Sequence, residues 1–331
     1  VDHVGDLIIE GATSTDRIDK IFYTSQTSST PFDMSKRAIN VEQLQFMANA
    51  DGTWVIGNAL SNLIQGSMTS NRIEGLAGAD SLVGLGGDDT LDGGSGIDTL
   101  IGGDGSDTYK VSNTEDIIIE TSTDGDADTI LTMVDYSLVV NVEVLELLPG
   151  GQAVFGAGNA SNNIVNGNEK DNTLNGLAGN DNLAGGEGND TLDGGIGDDI
   201  LQGGEGIDVA VYSGAYDDYQ LRMDVESGTL YVLDIRKETV ALDASGNPVF
   251  LSNGSVAVVP ISPDVLEGED SLSSIELLQF SDNMQYKWAP ETQTTPSDGM
   301  IDVDLSVWDG NMDTLPTINP LEDITLVGYI S

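Results

Sequence analysis

Residues 75–110 read GLAGADSLV, GLGGDDTLD, GGSGIDTLI and GGDGSDTYK, and the period of nine in this stretch decides the fold. Read backwards to Gly57, the same period adds GNALSNLIQ and GSMTSNRIE. A second block from Gly158 reads GNASNNIVN, GNEKDNTLN, GLAGNDNLA, GGEGNDTLD, GGIGDDILQ and GGEGIDVAV. Together they make twelve nonapeptides with no insertion inside either block. Position 1 is Gly in all twelve, and position 6 is Asp in eight and Asn in four. Position 8 is apolar throughout, with Ala210 the weakest, and position 4 is Gly in eight of the twelve.

Each fixed type has a physical reason. Gly at positions 1 and 4 allows backbone angles that a Cβ would forbid, so the first six residues are expected to turn tightly. Residues 7 to 9 are then extended, with position 8 pointing in and its neighbours out. Two nonapeptides make one coil of 18 residues with two short parallel strands, and coils stack at about 4.8 Å. The turns stack as well, which sets position-6 carboxylates of every second repeat against one another. Left bare, such a row repels itself. A hard cation held by carboxylates and turn carbonyls removes the repulsion. Gly/Asp-rich chains are often solvated linkers, but a linker has no reason to keep Gly, acid and aliphatic residues in phase over 54 residues, twice.

The pattern GGxGxDxUx, with U apolar, resembles the calcium-binding nonapeptide of RTX (repeats-in-toxin) proteins, and residues 57–110 and 158–211 carry it. The resemblance implies a parallel β-roll with calcium ions lined up in its turns. It also implies ligands from positions 2, 4 and 6 of one repeat and 1, 3 and 6 of the repeat 18 residues later. Carried onto this chain, one site joins Leu76, Gly78 and Asp80 with Gly93, Ser95 and Asp98. A second joins Leu85, Gly87 and Asp89 with Gly102, Asp104 and Asp107. In the later block, Leu177, Gly179 and Asp181 meet Gly194, Ile196 and Asp199, and Gly186, Gly188 and Asp190 meet Gly203, Glu205 and Asp208. Four weaker sites would pair Asn62 with Asp80, Asn71 with Asp89, Asn163 with Asp181 and Asn172 with Asp190. An amide oxygen is neutral and these repeats lack the Gly at position 4, so a calcium-free opening coil is the alternative there. About four strong calcium sites are expected, and up to eight in all.

The blocks sit inside a larger duplication. DLIIE (6–10), DRIDKI (16–21) and NVEQLQF (40–46) precede the first, and DIIIE (116–120), DADTI (126–130) and NVEVLEL (141–147) precede the second. Gly57 and Gly158 stand 101 residues apart. Three coils make a roll only about 15 Å long, so the spacers are expected to continue or cap it. Alternation at Ile117 and Ile119 and at Val142 and Val144 marks strands for that role. The expected fold is all-β: two parallel β-rolls at 57–110 and 158–211, β-rich spacers at 1–56 and 111–157, and a β cap at 212–289. Within the cap, YQLRMDV (219–225) and TLYVLDI (229–235) flank Glu226-Ser227-Gly228 as a hairpin. GEDSLSSIELLQFSDNM (268–284) is similar to the segment that closes RTX blocks. Residues 290–331 read as an acidic linker, in which PTINPLEDITLV (316–327) resembles either the first strand of an Ig-like module or a secretion-signal end.

Composition bounds the function. The 331 residues carry 11 Lys+Arg against 56 Asp+Glu, a net charge of −45, which excludes nucleic acid and argues against anionic membrane surfaces. No Cys excludes disulfides and thiolate chemistry, and His3 alone makes no histidine cluster. No apolar run is long enough to span a bilayer. Val1 opens no basic, apolar leader, so a fragment or processed chain is expected. HExxH is absent, no Gly-x-Ser-x-Gly elbow has a His partner, and GLGGDD and GGEGND lack the P-loop Lys. No nucleophile or general base stands out, so no enzyme is expected. Trp54 and Trp288 read as core or cap residues, with sugar stacking the minority option.

The family resemblance implies a calcium-dependent structural module of a secreted or cell-surface bacterial protein, passed unfolded through a type I secretion machine. The second reading is an accessory module that grips cell-surface polysaccharide, as similar modules do in alginate epimerases. Exposed roll edges also offer unpaired backbone for self-assembly.

Overall fold

The computed structural model describes residues 53–121 and 127–215 continuously, and 7–9, 20–23, 32–37, 43–46, 218–224, 229–235, 238–240, 258–260, 269–275, 277–281, 285–287, 300–302 and 306–307 as shorter stretches. His3, the loop 226–228, Trp288 and PTINPLEDITLV lie outside the described residues. The chain divides into two compact units, Val1–Asn168 and Glu169–Ser331. Each contains parallel β-solenoid built as the nine-residue period requires.

In the first unit, alternate repeats feed two parallel sheets. One runs through Gln43–Phe46, Leu63–Gln65, Ser81–Gly86, Thr99–Asp104 and Ile117–Ile119. The other runs through Thr53–Ile56, Asn71–Glu74, Thr90–Asp92, Thr108–Val111, Thr129–Thr132, Val144–Leu147 and Ile164–Asn166. Position 8 forms a ladder in register inside each sheet. Ile64, Leu82, Leu100 and Ile118 stack in the first, and Ile73, Leu91, Tyr109, Ile130, Leu145 and Val165 in the second, all buried. Fully burying a side chain of this size contributes about 1.5–3 kcal/mol, so the ladder is the spine of the fold.

The spacer after the first block continues these ladders rather than forming a separate layer. Its inward residue is Ile118, while Ile117 and Ile119 point outward; the strand is there, but its buried face is the one between the two residues that suggested it. Before the first block, Met34–Arg37 make a single helical turn that buries Met34. Trp54 is half-buried, donates through Nε1 to Glu74 (3.1 Å) and lies under the Arg72 guanidinium, 4.9 Å from the ring centre.

In the second unit, Leu183, Leu201 and Leu272 stack in one sheet and Leu174, Leu192, Ala210 and Leu278 in another. Parallel pairing stops there. Leu230–Asp234 adds antiparallel to Glu269–Ser273, Tyr219–Asp224 pairs antiparallel with Leu230–Asp234, and Met300–Asp302 follows. Tyr219–Asp224 and Leu230–Asp234 are the two arms of the expected hairpin. Beside small Ala210, Tyr212, Tyr219 and Phe280 pack with ring centres 5.1–5.5 Å apart. Aromatic packing of this kind closes a core that the repeat's short side chains cannot fill.

Candidate metal centre

The turns of the Asp-bearing repeats share one backbone shape. Positions 2 and 4 are both left-handed: φ is +81° at Leu76 and +121° at Gly78, +89° at Leu85 and +86° at Gly87, and +87° at Gly94 and +140° at Gly96. Leu177 with Gly179 repeats this in the second unit. Position 4 is therefore Gly for the expected reason, but position 1 is not. Gly75 has no left-handed φ; an added Cβ there would overlap the Asp80 carboxylate and the Gly93 carbonyl. Position 1 is Gly because ligand-type oxygens crowd over it.

Those oxygens are the ones the resemblance singled out. Asp80 Oδ2 and the Gly93 carbonyl line the space over Gly75, and Asp89 Oδ2 and the Gly102 carbonyl that over Gly84. Asp181 with Gly194, and Asp190 with Gly203, repeat the arrangement over Gly176 and Gly185. The aspartates stack in columns. The N–H of Asp80 donates to Asp98 Oδ1 (2.8 Å), Asp89 to Asp107 (2.7 Å), Asp181 to Asp199 (2.7 Å) and Asp190 to Asp208 (2.8 Å). Turn carbonyls interleave too: Ser95 donates to Leu76 O (2.8 Å) while its own carbonyl accepts from Gly78 (3.0 Å). Gly179 donates to Ile196 O and Gly188 to Glu205 O, both at 2.9 Å. Leu85 and Gly86 lie in register with Gly103 and Asp104, Leu177 with Gly195, and Gly186 with Gly204. Gly87 has the same left-handed turn.

The second carboxylate oxygen decides the chemistry. Oδ2 of Asp80, Asp89, Asp98, Asp107, Asp190 and Asp199 is buried with no hydrogen-bond partner. Burial, with the charge of nearby carboxylates added (Asp88 for Asp89, stacked aspartates for the others), pushes Asp80, Asp89 and Asp199 up to about 7 and Asp107 up to about 8, against a bonded backbone N–H that pulls each down. Asp190 rises to about 6, and Asp98 and Asp208 rise as well. A buried carboxylate without counter-charge is costly. All the groups present are oxygens, which suits a hard cation such as Ca²⁺ and no thiophilic metal.

The Asn turns are different. Asn62 Oδ1 accepts from Asn58 N–H (2.9 Å), Asn71 Oδ1 from Ser67 (2.7 Å) and Asn163 Oδ1 from Asn159 (2.6 Å), so the amide oxygen is spent inside its own turn. Asn62, Asn71 and Asn172 still stack on Asp80, Asp89 and Asp190, to whose Oδ1 atoms their N–H groups donate at 2.6–2.7 Å. Asn163 and Asp181 fall in different units and are described separately. The hydrogen bonding at Asn62, Asn71 and Asn163 is that of turns closed by protein groups.

The acidic columns run past the repeats, which the nine-residue period did not reveal. Asp98 donates to Asp116 Oδ1 (3.0 Å), Asp107 to Asp128 Oδ1 (2.7 Å), Asp128 to Glu143 Oε2 (2.9 Å) and Asp199 to Asp270 Oδ1 (3.0 Å). A shorter signal would have found them: each stands two residues before a buried aliphatic, Ile118, Ile130, Leu145 or Leu272, as Asp98 stands before Leu100. Asp116 ends its column within the protein, since its Oδ2 accepts from Ser112 (3.3 Å) and Asn113 (3.1 Å) N–H groups.

Compared with family models, the chain matches the RTX calcium-binding nonapeptide repeat in four copies, at residues 65–100, 83–118, 157–192 and 176–210. The second copy extends past Lys110 to take in Asp116 and Ile118. Compared with curated proteins, the chain gives no match. The geometry of the stacked acidic turns and these matches agree: both blocks are RTX calcium-binding nonapeptide repeats, and they fold as a parallel β-roll.

Proposed function

We propose that this chain is a structural module of a secreted or cell-surface protein, with no catalytic role, and that extracellular calcium folds it. The observation that carries the reading is the set of buried Oδ2 atoms without partners at Asp80, Asp89, Asp98, Asp107, Asp190 and Asp199. With calcium scarce, those carboxylates and the net charge of −45 oppose compaction, which keeps the chain open for export. Outside, millimolar calcium exceeds the roughly 10⁻⁴–10⁻³ M dissociation constants of extracellular sites. At a tenfold excess, each site adds about 1.4 kcal/mol, so four add about 6 kcal/mol. That is comparable with the whole net stability of a domain, roughly 5–15 kcal/mol.

The test is far-ultraviolet circular dichroism of the chain in millimolar calcium and in chelator at neutral pH. A β-spectrum that appears only with calcium supports the proposal. The same β-spectrum in chelator overturns it.

A further inference from the structure

Where the first block meets its spacer, three buried carboxylates converge: Asp107 from the last repeat, and Glu120 and Asp128 from the spacer. One oxygen from each lies within 4.8 Å of the others. Oxygens around a calcium ion at 2.3–2.6 Å stand up to about 5 Å apart, so the spacing fits a common cation. Asp107 supplies a second sign. It is 1% exposed, its Oδ1 is occupied by the Asp89 N–H, and its Oδ2 has no hydrogen-bond partner. That Oδ2 and the Tyr109 hydroxyl both crowd the space over Gly102, and the hydroxyl donates to Glu120 Oε2 at 2.5 Å. The Asp107 Oδ2 therefore lies beside the hydroxyl that is bonded to Glu120.

The neighbouring column shows what closure without a cation looks like. There Asp116 is satisfied by the N–H groups of Ser112 and Asn113. The Oδ2 of Asp107 has no equivalent donor. The sequence marks the difference, since Tyr109 is the one position-8 residue of twelve with a hydroxyl.

We propose that Asp107, Glu120 and Asp128, with the Tyr109 hydroxyl beside them, form a further calcium site that locks the spacer coil onto the first block. Two of its three carboxylates lie outside any nonapeptide, while the third, Asp107, is shared with the turn site expected between Asp89 and Asp107, so the new site adjoins that turn site. Three carboxylates suit a hard divalent ion, and a buried cluster suits calcium better than magnesium, which gives up its waters reluctantly. Glu120 follows the strand Ile117–Ile119 in one sheet and Asp128 precedes Thr129–Thr132 in the other. One ion therefore ties both sheets of the spacer coil to the repeat that ends in Tyr109 and Lys110.

The test is calcium stoichiometry of the whole chain by equilibrium dialysis at saturating calcium, for wild type and Glu120→Gln. Gln keeps an acceptor for the Tyr109 hydroxyl, and circular dichroism in calcium checks that the β-fold is retained. One ion fewer in Glu120→Gln supports the site; equal stoichiometry overturns it and leaves a shared proton in the cluster. Terbium in place of calcium gives a second readout. Tyrosine-excited emission lost in Tyr109→Phe should be the same component that Glu120→Gln loses. Full emission in Tyr109→Phe contradicts the site even if Glu120→Gln fails to fold. Asp98→Asn separates this site from the turn sites: if they fail to bind, Asp98→Asn changes nothing while the loss in Glu120→Gln stands.

Discussion

Asp98 and Asn71 occupy the same place in the nonapeptide, yet their surroundings give them opposite dependence on calcium. Asn71 spends its oxygen on the Ser67 N–H in its own turn, whereas Asp98 holds the Asp80 N–H with one oxygen and buries the other without a partner. Asp98→Asn should therefore raise the calcium concentration needed for folding about tenfold, since ligand charge tunes affinity. Asn71→Ala should cost about 1–3 kcal/mol whether or not calcium saturates the turns, because it strips a buried hydrogen bond. Titration of folding against calcium for both variants checks the contrast. The raised carboxyls also set a pH dependence. Burial lifts Asp80 from an ordinary 3.8 to about 7 and Asp107 to about 8. Without calcium, the fold then holds protons that the unfolded chain has released. That stabilisation is fully present below pH about 4 and is lost as pH rises through 7 to 8. In chelator, resistance to urea should be higher at pH 5 than at pH 8. In calcium the proton becomes a competitor, so the calcium midpoint should be higher at pH 5.

At the scale of the element, the repeat explains the strands better than the turns. Position 8 was legible, because a single apolar residue in nine has only the interior to go to, and Leu82, Leu91 and Leu100 are fully buried. The reason for Gly at position 1 was not, since a close approach by the Asp80 carboxylate depends on a residue five places on and on a carbonyl 18 places on. Nor was the left-handed backbone at Leu76, Leu85 and Leu177, where the residue type argues against it. Asp116 keeps the 18-residue step from Asp98 but escaped because VSNTEDIII (111–119) has no turn glycines, whereas Asp128, Glu143 and Asp270 stand 21, 15 and 71 residues beyond the acids they join, so no fixed period reaches them. The turn geometry makes a sharp prediction. Gly96 has φ +140° and an added Cβ would overlap the Gly78 carbonyl, whereas at Gly150, with φ +75°, an added Cβ would meet no atom within 4 Å. Gly150→Ala should cost about 1–2 kcal/mol, the ordinary penalty of a left-handed Cβ. Gly96→Ala should cost well beyond that, as measured by urea unfolding in calcium.

For the whole molecule, composition and order point in opposite directions. An acidic, Gly-rich, aromatic-poor chain reads as disordered, and a charge of −45 opposes any compact state. The period of nine reverses that reading by giving each unit a continuous apolar ladder and concentrating the unfavourable charge into stacked corners where divalent ions can neutralise it. In the first unit the spacer extends the ladder, and in the second the strands 219–224, 230–234 and 300–302 turn it antiparallel. The most direct test is a crystal structure grown in millimolar calcium, with anomalous scattering used to locate the ions. The account predicts density between the turns of Asp80 and Asp98 and between those of Asp190 and Asp208, with carboxylate oxygens at about 2.3–2.6 Å. An intact β-roll with no ion at those corners would contradict it.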